Sequence, residues 1–277
     1  MTPTRLADVD AHEGPVFVAE EDALYFTSVP RPDVATKRLS LRTGEVSVLR
    51  GDANKANGMA LAADGRLVVC EQGTRSQRAR ISLVDRATGA AETLVDGWRG
   101  LPLNSPNDVV VKSDGTVWFT DPSYGFLQGF RPEPKLGDLV YRHDPSSGET
   151  DVVADGFDKP NGLAFSPDEE VLYVGDSGEQ THHVEAFDVG DGSRLSGRRR
   201  LAVIDPGYPD GIKVDADGLV YAASCGGVHV LDPSGDLVGE IDVPGAVNLA
   251  FGRHGRLYVT ADTAVWAAAI PELVKEP

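Results

Sequence analysis

Short apolar runs separated by polar turns recur along the whole chain, and no long stretch carries the i, i+3, i+4 spacing of an amphipathic helix. The outline of each repeat is constant: a polar residue opens an apolar run, a turn follows, and a second apolar run comes next. The copies run from Asn57 to Cys70, Asn107 to Thr120, Asn161 to Val174, Asp210 to Ala223 and Asn248 to Val259, and Glu13 to Phe26 has the same outline. The openers at 13, 57, 107, 161, 210 and 248 are spaced by 44, 50, 54, 49 and 38 residues. In three copies an Asp-Gly pair begins seven residues after the opener, at Asp64, Asp114 and Asp217, and Asp168 occupies the same offset in a fourth. Asp-Gly between two apolar runs predicts a hairpin, because glycine supplies the positive φ that its turn requires.

Further apolar runs follow, at 81–84 before Thr88-Gly89, at 139–142 before Ser147-Gly148 and at 228–231 before Ser234-Gly235. Each unit thus holds about four strands over ~40–50 residues, the period of a β-propeller blade. The sequence predicts an all-β, six-bladed propeller forming one domain over residues 1–277. The last unit has room for three strands, so a strand near Arg5–Asp10 is expected to supply the fourth and close the ring.

Composition fits that reading and narrows the partners. Thirty-one Gly and 18 Pro suit a turn-rich chain. Against 26 Lys+Arg stand 43 Asp+Glu, a net charge of −17 spread along the chain, so nucleic acid and anionic membranes are not expected partners. Cys70 and Cys225 are expected as buried free thiols in a reducing compartment. With no apolar signal-like segment near the N-terminus and no apolar run of membrane-spanning length, a cytoplasmic protein is expected.

In a propeller the first strand of each blade lines the central channel, so Glu13, Asn57, Asn107, Asn161, Asp210 and Asn248 should converge at one mouth. All six carry side-chain oxygen. Two carboxylates facing one axis would be costly unless paired, and a hard divalent cation such as Ca2+ resolves the cost with carboxylate and amide oxygens. The competing explanation is local turn chemistry, since Asn and Asp also bond their own backbone; Glu13, followed by Pro15, suits that role poorly. The ends of the second strands should ring the same mouth, with Glu71, Asp121, Asp176, Ser177, Ser224, Cys225 and Asp262. Segment 120–138, rich in Gly, Pro and aromatic residues, is expected to overhang it and offer Tyr124 or Phe126 to substrate. His182-His183 is expected as a solvated pair and His229 as a structural histidine.

The stretch from Leu103 to Gly125, with Glu13-Gly-Pro15, the run from Lys159 to Asp168, Pro209-Asp-Gly211 and Gly227-Val-His-Val230, resembles the senescence-marker-protein (regucalcin)/gluconolactonase family, in its gluconolactonase-like branch. The resemblance covers about residues 10–265. It implies a six-bladed propeller that hydrolyses sugar lactones or related esters with a divalent metal. It places metal ligands on Glu13, Asn161 and Asp210, with Asn107 a further ligand or substrate contact and Asn57 and Asn248 behind them. Ca2+ is the first expectation, with Mg2+, Mn2+, Zn2+ and Fe2+ as alternatives. Regucalcin-like members carry an Arg just before the position of Asn107; here Ser105-Pro106 stands there, and Asn104 is the substitute substrate contact. The expected reaction is lactone opening to an aldonic acid, with Asp210 as general base and Glu13 as the alternative base. Two rivals remain at this point: a phosphotriesterase-like hydrolase on the same site, and a non-catalytic calcium-containing propeller that binds partners. No Gly-x-Ser-x-Gly turn supports a serine nucleophile.

Overall fold

In a computed structural model, which describes residues 2–29, 33–191 and 194–270, six four-stranded antiparallel sheets follow one another around a ring as a six-bladed β-propeller. The first and last residues of the expected 1–277 domain, 1 and 271–277, lie outside the described residues. Blade one comprises Val16–Val18, Ala23–Thr27, Thr36–Ser40 and Val46–Arg50. Blade two comprises Ala56–Leu61, Leu67–Glu71, Arg80–Val84 and Ala91–Val95. Blade three is built from Val109–Val111, Val117–Asp121, Leu139–Asp144 and Glu149–Ala154. Blade four uses Pro160–Phe165, Val171–Asp176, His183–Gly190 and Arg194–Val203. Blade five uses Ile212–Val214, Val220–Ser224, Gly227–Leu231 and Leu237–Ile241. Blade six takes Asn248–Phe251, Arg256–Thr260 and Asp262–Ala269 from the end of the chain. Its outermost strand is Thr4–Ala11, paired with Asp262–Ala269, so the ring closes as expected from the short last unit.

The hydrophobic pattern explains this stacking. Second strands such as Ala23–Thr27, Leu67–Glu71, Val117–Asp121 and Val220–Ser224 are buried at every position, because each is covered by the neighbouring blades on both faces. Outer strands such as Val46–Arg50 are only partly covered, with Ser47 and Val48 exposed. The apolar side chains form clusters between adjacent blades: Tyr25, Met59 and Val69 join blades one and two, and Trp118, Leu163 and Val174 join blades three and four. The Asp-Gly turns form as read, with Gly65, Gly115 and Gly218 at φ of 85°, 84° and 88°. In blade five the turn is held by Asp215, whose Oδ1 accepts from the backbone N–H groups of Asp217 and Leu219.

Ring geometry also depends on glycines that follow the openers. Gly58 donates to the carbonyl of Asn107 at 2.8 Å, Gly162 to that of Asp210 at 3.0 Å, and Gly211 to that of Val247 at 2.8 Å. These bonds tie each inner strand to the next blade at distances that leave no room for a Cβ.

The ends of the second strands differ from expectation. Glu71, Asp121 and Asp176 are buried braces, not rim residues. Asp121 accepts from the backbone N–H groups of Asn104 and Ser105 at 2.8 Å each, and Asp176 from those of Asp158 and Lys159 at 3.1 and 2.8 Å. Each brace fixes the chain just ahead of an opener, which is why an acid recurs there. Glu71 accepts from Arg50 (2.6 Å), Arg80 (2.7 Å), Ser82 (2.7 Å) and Asn54 (2.9 Å). Burial pushes its carboxyl up, but these donors outweigh burial and hold it below the usual carboxylate range. A depressed folded value means stability that is present above the unfolded pKa and lost as pH falls through the folded one. Glu71→Gln is therefore expected to cost about 3 kcal/mol near neutral pH, by stranding two guanidinium groups. In urea melts the gap to the parent should close as the pH is lowered past the unfolded carboxylate value of about 4.3; a pH-independent gap contradicts this role.

Candidate active site

Four of the expected residues meet at the channel mouth: Glu13, Asn161, Asp210 and Tyr124. The Asp210 and Glu13 carboxyls are close enough to act strongly on each other, and the Asn161 side chain lies beside Asp210. Asn248 donates its amide to Glu13 Oε2 at 2.7 Å. The Tyr124 hydroxyl lies near the Asn161 and Ser177 side chains and feels the charge of Asp210. Ser177 in turn bonds the carbonyl of Pro209, immediately before Asp210. Strands from blades one, four, five and six thus converge on one pair of carboxyls.

Their electrostatics are unfavourable as they stand. Burial first, then the charges of Asp210 and Asp108, push Glu13 well above the usual carboxylate range. Asp210 is pushed up to about 7, by burial and by Asp108 and Asp262, against the lowering effect of its bonds to Glu13 and Asn161. Two carboxyls in contact away from water favour a shared proton or a cation between them.

Amide oxygens supply the remaining donors. The Oδ1 atoms of Asn57, Asn107 and Asn161 are buried and have no hydrogen-bond partner. A buried acceptor without a donor is costly, and its recurrence at three of the six openers fits a divalent cation held by hard oxygen ligands. Among the described residues no three His, Cys, Asp or Glu side chains form a metal-holding group, so any such site consists of two carboxylates and amides. That donor set suits Ca2+ and its hard relatives rather than a thiolate- or imidazole-seeking ion.

Other expected residues lie apart. Asn104 is buried below segment 120–138, with its amide nitrogen bonded to the carbonyls of Gly137 (2.9 Å) and Asp121 (3.2 Å) and its Oδ1 unpaired. Ser105 is also buried, donating to the Pro122 carbonyl at 2.6 Å and accepting from the Gly125 N–H at 2.9 Å. Phe126 is exposed. His183 is not solvated: it is buried against Glu185, with Nε2 2.9 Å from Oε1, and Arg198 completes the cluster from the outer strand. Its neighbours on blade four offer a carboxylate that keeps an imidazole dry. His229 is buried and bonded to the Asp205 carbonyl, as a structural histidine should be. Cys70 and Cys225 are both free, but Cys225 is exposed on the wall of the cleft, because the Gly226-Gly227 turn leaves it uncovered.

Segment 120–138 is fastened. It carries a short helical turn, Tyr124–Leu127, and is held by the buried Arg131, which donates to the carbonyls of Asn104, Thr74, Gln77 and Leu103 at 2.7–3.0 Å. Gly125 is packed so closely on Arg131 that a Cβ would stand 2.3 Å from its Cγ. Arg131→Met is expected to cost on the order of 3 kcal/mol, expose 122–137 to limited proteolysis and raise KM through displaced Tyr124. Unchanged protease resistance would contradict the clamp.

Two features at the mouth escaped the sequence reading. Asp108 is buried beside Asn107, with Oδ2 3.5 Å from Lys213 Nζ of blade five. In blades one, two, four and five the residue after the opener is Gly, so the departure at 108 was the available signal. His12 bonds Asp262 Oδ1 through Nδ1 at 2.6 Å. Burial lowers its pKa, but the Asp262 bond and the Glu13 charge prevail and raise it. This pair joins the first and last blades, and nothing in the local sequence links residues 250 positions apart.

Comparison with known proteins places this arrangement. Residues 11–263 match the family described as the SMP-30/Gluconolactonase/LRE-like region. The chain belongs to this family. Among its SMP-30/gluconolactonase relatives is a gluconolactonase of Zymomonas mobilis, 30% identical over 92% of this chain and 77% of the relative. A pentonolactonase of Haloferax volcanii is 30% identical over 94% of this chain and 85% of its own. The solved structure of a gluconolactonase from Xanthomonas campestris superposes with a TM-score of 0.87 at 37% identity, covering 96% of this chain and 89% of that one. Among the described residues no helix is long and apolar enough to cross a membrane.

Proposed function

We propose that this propeller is a metal-dependent lactone hydrolase, opening a lactone ring at the channel mouth to its hydroxy acid. The observation that carries the reading is the pairing of the buried Glu13 carboxyl with that of Asp210, which is partly open to the cleft, in a channel where three opener amide oxygens lack donors. The lactonases among its relatives support the same substrate class.

Glu13, Asn161 and Asp210 would hold the cation, with Asn107 the next donor. When bound, a divalent ion supplies Lewis acidity toward a carbonyl oxygen and makes a nearby water easier to deprotonate. The chain's own groups do the rest. Asp210, partly open to the cleft, is the group placed to accept the proton of an attacking water. Glu13, held by Asn248, is fixed more rigidly and suits a constant ligand. The Tyr124 hydroxyl, raised above the usual phenol range by burial and then by the charge of Asp210, stays protonated and can donate to a ring oxygen beside Asn161. Asn248 and the 120–138 clamp hold these groups in register.

Metal analysis followed by a pH-stat screen of aldonolactones against phosphotriesters tests the reading. Lactone turnover that follows metal occupancy is expected. Preferential phosphotriester turnover would move the site to phosphoryl chemistry, and bound metal with no turnover of either would leave a binding propeller.

A further inference from the structure

Above Asn161 and Asp210 the cleft widens to about 950 Å3, at the upper end of small-molecule clefts and far larger than one lactone ring. Its wall carries apolar side chains among polar ones, with Ser177, Gln180 and Thr181 beside them. Leu127 and Tyr208 line it while 63% and 45% exposed, and Pro209 lies between Tyr208 and Asp210. Leu127 is three residues beyond Tyr124 on the same helical turn, so the two side chains share a face. Tyr208 stands two residues before Asp210. Both apolar lips are therefore carried by the segments that position the proposed chemistry.

Charge narrows the ligand further. Lys159 is the one basic residue among the described residues lining the cleft, and its Nζ is taken by Asp138 Oδ2 and Asp158 Oδ1, each at 3.0 Å. Asp158, Glu179 and Asp210 line the same wall. Along this wall an anionic group meets carboxylates and no unpaired cationic side chain. Two polar residues near the mouth are also engaged elsewhere: the Ser105 hydroxyl is bonded within segment 120–138, and the amide nitrogen of Asn104 is tied to backbone carbonyls.

We infer that the cleft takes a neutral lactone whose ring carries an apolar substituent, with the ring at Glu13, Asn161 and Asp210 and the substituent against Leu127 and Tyr208. This rests on the lactonase reading and adds the part of the substrate beyond the ring. Discrimination comes from desolvating the substituent on the two lips and from rejecting a charged one.

The test is a kinetic series with the metal-loaded full chain: δ-valerolactone, its homologues bearing methyl to pentyl on the carbon that carries the ring oxygen, δ-gluconolactone, and a homologue ending in a carboxylate. kcat/KM is expected to rise about three- to fourfold per added methylene until the lips are covered. The carboxylate homologue should fall at least about tenfold below the alkyl lactone of equal length. In the double variant Leu127→Ser/Tyr208→Ser, the ratio of kcat/KM for pentyl over unsubstituted ring should drop at least about tenfold. A flat or falling alkyl series, with δ-gluconolactone preferred, would overturn the inference and leave the lactonase reading standing. An unchanged ratio in the double variant overturns the assignment of the lips. Turnover of none of these lactones would sink both readings together.

Discussion

Asp210→Asn should reduce lactone turnover by about 10³-fold or more while leaving the propeller folded. The substitution keeps the size of the side chain and most of its bonding to Asn161 but removes the proton acceptor and one of two anionic ligands. Its effect on stability should run the other way. Asp210 lies beside the buried Glu13 and within reach of the charges of Asp108 and Asp262. Removing one carboxyl from that group relieves repulsion, so metal-free Asp210→Asn should melt at or above the temperature of the metal-free parent. Calorimetry and initial rates on the same preparations check both halves. Turnover within tenfold of the parent would remove Asp210 from the chemistry, and a large loss of stability would make it a structural brace like Asp121.

Gly162→Ala is the second large expected effect. A Cβ at 162 would stand 2.1 Å from the Asp210 carbonyl oxygen, 2.6 Å from the Ile212 nitrogen and 2.9 Å from the Gly211 carbon. All three are backbone atoms, so no rotamer change relieves the clash. The blade-four strand must move from blade five, breaking the 3.0 Å bond from Gly162 to Asp210 and separating Asn161 from Asp210. The expected cost is about 3 kcal/mol, with activity down about 10²-fold from misplacement alone. Gly51→Ala is the control, because nothing lies within 4 Å of its added Cβ; it should stay within about 0.5 kcal/mol of the parent. A Gly162→Ala protein as stable and active as that control would show that the inter-blade bond does not position the site.

Most of the ring was legible in the chain because a blade is a local unit. Its four strands are consecutive, its turns carry Asp-Gly or Ser-Gly, and its openers recur at blade spacing, so short-range pattern specifies sheet order. Even the closure by Thr4–Ala11 followed from counting strands in the last unit. What local pattern does not encode is the partner that a polar side chain finds across the ring. Glu71, Asp121 and Asp176 occupy the positions expected of rim acids, yet each is captured by the segment ahead of an opener or by arginines of its own and the adjacent blade. His12 with Asp262 and Asp108 with Lys213 are pairs made by ring closure and by the channel, far apart in sequence. Glu185, two residues from His183 on the same strand and face, was the legible sign that His183 is not solvated; Arg198, on the neighbouring strand, was not visible in that run. The openers could be read because all six share one chemistry. The cleft wall could not, because Leu127 and Tyr208 come from unrelated segments and meet only in the folded protein.

The opener oxygens are proposed to hold a catalytically required divalent cation. The direct measurement is titration of Ca2+, and in parallel Mg2+ and Mn2+, into chelator-treated protein by calorimetry, with lactone hydrolysis assayed at each point. One cation per chain should bind, activity should rise from background in step with occupancy, and Glu13→Gln should weaken binding at least about tenfold. Full lactone hydrolysis by the metal-free protein, or metal binding indifferent to Glu13 and Asp210, would contradict the account.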